Sequence, residues 1–111
     1  MAELIDRERL ERLAAQISRP VLDSMLVQFS ERLAAAGEAI SAAAVADDPV
    51  GLRHEAHKLV GVAGTFGAEA TAEAARAVET AIDEGRIAEA REGVAPLLRV
   101  IEATAARLRK S

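Results

Sequence analysis

Asp48-Pro49-Val50-Gly51-Leu52-Arg53-His54-Glu55-Ala56-His57-Lys58-Leu59-Val60-Gly61-Val62-Ala63-Gly64-Thr65-Phe66-Gly67 reads as one helix with both ends marked. Asp48 can cap it by accepting a backbone N–H, and Pro49 fits the first helical position, where its missing donor costs nothing. Leu52, Ala56, Leu59, Ala63 and Phe66 recur at spacings of three and four, the period of an apolar helical stripe. Gly64 and Gly67 close the segment, Gly67 as a left-handed cap.

Outward from this helix the same period recurs. Upstream, Leu22, Met25, Leu26, Phe29, Leu33, Ala36 and Ile40 form one stripe on a helix from Pro20 to about Ala46. Before it, Asp6 to about Gln16 carries Leu10 and Leu13, with Ile17 following, and Ser18-Arg19-Pro20 ends this short helix. Downstream, a fourth helix runs from about Glu69 to Glu84, with Thr71, Ala75, Val78 and Ile82 inward and Gly85 as its stop. The fifth runs from about Arg86 to Arg109, with Ile87, Ala90, Val94, Leu97, Leu98, Ile101, Ala105 and Leu108 inward. Pro96 falls within it, so the helix should bend there or leave one carbonyl unpaired. Connections this short make sequential helices antiparallel neighbours. The expected fold is all-α: an up-down-up-down four-helix bundle with a short additional N-terminal helix packed across one end.

Composition agrees. Of the 111 residues 26 are alanine, and 30 larger apolar side chains remain, enough for one core over residues 1–111 and not for two. There is no cysteine, which removes disulfides, thiol nucleophiles and thiolate metal sites and suits a reducing compartment. A net charge of −4 and only two aromatic residues argue against a nucleic-acid partner, which needs a basic face and stacking platforms. No apolar run approaches the ~18 residues of a membrane span. The start, MAELIDRERL, is too charged for a signal peptide, so a cytoplasmic location is expected.

The chemistry falls to two histidines, both on the third helix. His57 lies one position off the apolar stripe, about 100° around the helix, at the edge of the core. Arg53, Val60, Gly61 and Gly64 share its face. A mid-helix glycine costs roughly 1 kcal/mol against alanine, so two of them here ask for a reason. They strip side chains from the following turns and leave the imidazole clear for another protein's backbone. The turn to the fourth helix centres near residue 68; His57 is eleven residues before it and Glu79 eleven after, at the same height of an antiparallel hairpin. A carboxylate there would fix the tautomer and leave one ring nitrogen free as a nucleophile. Taken singly, an exposed histidine or one acid among eighteen is a solvated surface group; glycines and register together single these two out. His54 and His57 have a spacing that can chelate a metal, but no third histidine or any cysteine completes a set, so no metal site and no cofactor is expected.

The segment from Asp48 to Gly67, above all Ala56-His57-Lys58-Leu59-Val60-Gly61-Val62-Ala63-Gly64-Thr65-Phe66-Gly67, resembles the histidine-containing phosphotransfer (HPt) domain family. That family carries Ala-His-x-Leu-Lys-Gly followed by small residues and a second glycine. It also tends to place Gln or Glu 22 positions after the histidine, hydrogen-bonded to the ring, and Glu79 is that position. The resemblance implies that His57 accepts a phosphoryl group from a receiver aspartate or a kinase and passes it to another receiver aspartate. The implied partners are response-regulator receiver domains and a hybrid histidine kinase, in a bacterial cytoplasm, with the chain itself a monomer. Mg²⁺ would come with the receiver. The chain holds no Gly-x-x-x-x-Gly-Lys-[Ser/Thr] loop, so it should act as a phosphocarrier rather than an ATP-using enzyme.

One position departs from the pattern. The family usually has lysine three residues after the histidine, where this chain has Val60. Lys58 and Arg53 are the remaining nearby cations, while Val60 and Val62 offer apolar surface for docking. Val60 favours the alternative of an HPt-like module that binds receivers or kinases without carrying phosphate. A purely structural helical adaptor would bind no receiver at all.

Overall fold

The computed structural model describes residues 4–109. Within them lie five helices: α1 Arg7–Gln16, α2 Arg19–Val45, α3 Pro49–Thr65, α4 Glu69–Asp83 and α5 Ile87–Arg109. Each expected helix is present, with ends within about a residue of those read from the sequence. The ends of the expected 1–111 domain, residues 1–3 and 110–111, lie outside the described residues, as do the first three residues of the charged N-terminal stretch. Among the described residues no helix is long and apolar enough to cross a membrane.

Local chemistry sets the ends. The Asp6, Ser18 and Asp48 side chains each accept the N–H three residues on, capping α1, α2 and α3. Such a cap contributes about 1 kcal/mol. The three turns inside the bundle are one motif used three times. After α3, the N–H of Ala68 reaches the carbonyl of Ala63 at 2.9 Å and that of Gly67 reaches Gly64 at 3.2 Å. The same paired bonds run from Arg86 to Ala81 and Gly85 to Ile82, and from Asp48 to Ala43 and Asp47 to Ala44. This doubly bonded turn needs a left-handed residue just past the helix. Gly67 and Gly85 supply it at φ +69° and +76°. After α2 it is Asp47, at φ +54°, one of the few side chains that tolerate the region.

Turns of one kind return each helix antiparallel to the last. α2 packs on α3, α3 on α4, α4 on α5, and α5 closes back on α2. All five inward residues expected of α3 are buried. In α4 and α5 the inward faces are broader than expected: Ala72, Ala81 and Thr104 are buried, while Ile82, Leu98, Ala105 and Leu108 are half-buried. The Phe29 and Phe66 rings stack with centroids 4.4 Å apart. Buried Thr71 and Thr104 bond to each other at 3.0 Å, and the Thr104 hydroxyl also meets the carbonyl of Val100. Pairing removes the cost of two hydroxyls in an apolar core. α5 stays one helix through Pro96. Pro96 and Glu92, whose carbonyl loses its partner, are both exposed, so water can serve that carbonyl.

α1 packs against α2 without burying any residue fully, and it reaches the α3–α4 turn through Asp6 and Arg9. The Asp6 N–H donates to the Gly67 carbonyl at 2.9 Å, and Arg9 donates to the Gly64 carbonyl and pairs with Glu69 at 3.6 Å. A Cβ on Gly67 would stand 2.6 Å from that of Asp6, so this glycine also makes room for the approach of α1.

Candidate functional site

The hairpin of α3 and α4 places the site. Small residues on its inner faces, Ala56 and Ala63 on α3 and Ala72 and Ala75 on α4, are all buried and keep the helices close. Side chains one position off those faces then meet across the seam. Nδ1 of His57 lies 2.6 Å from Oε2 of Glu79. A carboxylate only accepts, so the contact selects the tautomer with the proton on Nδ1 and the lone pair on Nε2. The His57 side chain is 64% exposed and that of Glu79 only 14%. The carboxylate is thus tucked into the seam while the ring stands in solvent.

Gly61 and Gly64 lie along the next two turns from His57. A Cβ at either position would meet nothing within 4 Å. Internal packing therefore does not require glycine at these positions, and what their absent side chains leave is open surface beside the ring. The Gly64 carbonyl, already in the α3–α4 turn, also holds Arg9 of α1. Val60 and Val62 are half-buried. Val62 lines a groove of about 440 Å³ between α2 and α3, with Ala35, Ala36 and Ala39 across from it and Arg32 and Lys58 at its edge.

Both cations near His57 have carboxylate partners. Lys58 pairs with Glu55 at 3.1 Å, on the groove side. Arg53 turns the other way, to α4. Its Nε donates to Oδ1 of Asp83 at 2.6 Å and its Nη2 to Oδ2 at 3.3 Å, while Nη2 also lies 3.2 Å from Oε2 of Glu79. Asp83 was not expected in the site. The signal for it was in the register: Arg53 and Asp83 are each fifteen residues from position 68, so they form the next rung below His57 and Glu79. His54 is exposed, and among the described residues no three His, Cys, Asp or Glu side chains gather as a metal would need.

The Arg53 hydrogen bond holds the Asp83 carboxyl below the usual aspartate range; desolvation opposes it, and the charges of Arg53 and His57 add to the lowering. Its folded value thus lies below its unfolded one. The stability it contributes is present above the ordinary aspartate range and is lost as pH falls through the folded value. With both side chains half-exposed the contribution is small. Following the Asp83 carboxyl carbon by NMR should show titration below the ordinary range, and Arg53→Gln should return it there. An unshifted Asp83 in the parent protein would show that the pair does not persist in solution.

The helical bundle thus presents an imidazole backed by a carboxylate, with open surface over the glycines beside it. A family model, the Hpt domain, matches residues 21–111. The chain belongs to that family, the histidine phosphotransfer proteins. Its fold is similar to the crystal structure of histidine-containing phosphotransfer protein B from Pseudomonas aeruginosa PAO1, with a TM-score of 0.88 over 99% of this chain and 95% of that one, at 21% identity. No curated protein matches the chain in sequence.

Proposed function

We propose that this protein is an intermediate in a multi-step phosphorelay, a single domain over residues 1–111 carrying its phosphoryl group on Nε2 of His57. The observation that supports this most is the pairing of Nδ1 with Glu79 at 2.6 Å on a ring that is 64% exposed. Nε2 attacks the phosphorus of a receiver's aspartyl phosphate in line. The N–P bond forms as the acyl O–P bond breaks, and the bonding pair leaves with the aspartate carboxylate. The proton stays on Nδ1, where Glu79 offsets the positive charge the ring acquires. The reverse step delivers the group to a second receiver or back to the first. The receiver brings Mg²⁺ and most of the charge neutralisation, since phosphoryl transfer is chiefly positioning and electrostatics.

The docking face in this reading is centred on His57 and uses Val60, Gly61, Val62 and Gly64 with the neighbouring surface of α2. Lys58 acts as a supporting cation at the rim of the α2–α3 groove, and Arg53 supports the site from the α4 side through its ion pairs with Asp83 and Glu79. Incubation with a panel of phosphorylated receivers, and with a hybrid histidine kinase, tests the reading. A carrier gains phosphate that is labile in acid and stable in alkali. A protein that binds receivers but gains none is the non-carrying module that Val60 favours.

A further inference from the structure

The two rungs of the α3–α4 seam are joined at one atom. Oε2 of Glu79 lies 2.6 Å from Nδ1 of His57 and 3.2 Å from Nη2 of Arg53. Two donors therefore share one carboxylate oxygen. Asp83 engages the guanidinium through two donors, Nε at 2.6 Å and Nη2 at 3.3 Å. An arginine fork bound to both oxygens of a carboxylate has its plane and direction fixed, which a lysine ammonium would not provide. Each partner also shifts the other in the expected sense: Asp83 raises Arg53, chiefly through their hydrogen bond, and Arg53 lowers Asp83.

We propose that Asp83 is a positioning residue for the phosphoryl acceptor: by holding the Arg53 fork it reserves Oε2 of Glu79 for Nδ1 of His57. Arg53 is then committed to α4 and restrains the acceptor's carboxylate, rather than standing free to meet an incoming phosphoryl group. If Asp83 is removed, the released guanidinium turns fully onto Glu79 and competes with the ring. The population with the proton on Nδ1 falls, and with it the fraction of rings whose Nε2 lone pair is ready to attack. The proposal rests on His57 being the acceptor only for its rate consequence. The tautomer consequence holds in the unphosphorylated protein.

The test uses the whole chain as parent, as Asp83→Asn and as Arg53→Gln/Asp83→Asn. Ring nitrogen shifts of His57 give the tautomer ratio at about pH 8, where an ordinary imidazole is neutral. Asp83→Asn should move that ratio away from Nδ1–H by about two- to fivefold, the range over which one exposed ion pair moves an equilibrium. Phosphoryl uptake from a labelled receiver should slow by the same factor. The double variant should restore both, because the competitor is gone. An unchanged ratio in Asp83→Asn, or a changed ratio that the double variant fails to restore, overturns the proposal. A parent that takes up no phosphoryl group from any receiver, yet shows the expected tautomer changes, overturns the carrier reading and leaves this one standing. Helical content by circular dichroism guards against unfolding, to which these half-exposed side chains should contribute little.

Discussion

Replacing His57 with Gln is expected to abolish phosphoryl uptake, whereas His54→Gln should leave it within about twofold, the small effect usual for a solvated position away from the chemistry. The two histidines sit three residues apart on α3, yet only one is built into a site. His57 has its Nδ1 on a seam carboxylate and two glycines on the following turns. His54 is exposed and heads no such opening. Gln keeps a polar side chain of similar reach but has no lone pair of comparable nucleophilicity. Folding should be unaffected, since the imidazole is 64% exposed and contributes little burial. Labelled receiver phosphate and a gel that avoids acid read the result. Labelling that survives His57→Gln would contradict the assignment outright.

The second large effect separates docking from stability by giving them opposite signs. Gly64→Leu adds a side chain where a Cβ meets nothing within 4 Å, so the bundle accommodates it. Gly64 lies in the last turn of α3, so leucine there should gain only part of the ~1 kcal/mol that separates glycine from good helix formers in a helix interior, and the melting temperature should hold or rise slightly. The same side chain stands two turns along from His57, on the surface a receiver backbone would have to approach. Transfer should fall tenfold or more, equivalent to about 1.4 kcal/mol or more of lost binding or transition-state stabilisation. Stopped-flow or time-resolved labelling against a cognate receiver, beside a thermal melt, reads both. Normal transfer in Gly64→Leu would move the docking face elsewhere on the bundle.

Much of this site was legible in the sequence because an antiparallel hairpin obeys a simple register. Equal distance from the turn near residue 68 placed Glu79 opposite His57, and the seam realises that contact at 2.6 Å. The same rule applied one turn further would have placed Asp83 opposite Arg53. Sequence alone leaves a long arginine side chain free to face solvent or α4, and its partner is fixed only in the assembled hairpin. Other features left no local trace. Asp47 adopts the left-handed turn without being glycine. Thr104 is buried because Thr71, 33 residues away, supplies its partner. The docking of α1 depends on Asp6 and Arg9 reaching backbone carbonyls of residues 67 and 64, which no helical period encodes. Helix ends, stripes and turns are written in short-range chemistry. Contacts between residues remote in sequence appear only once the bundle is assembled.

One particular nitrogen, Nε2 of His57, is expected to accept the phosphoryl group. Long-range proton–nitrogen NMR on the nitrogen-15-labelled protein, recorded before and after phosphorylation by a receiver in neutral buffer, tests it most directly. A single phosphorylated histidine, His57, is expected, with the phosphorus coupled to Nε2 and the proton retained on Nδ1. Phosphorus coupled to Nδ1, or phosphoryl found on His54 with His57 unchanged, would contradict it.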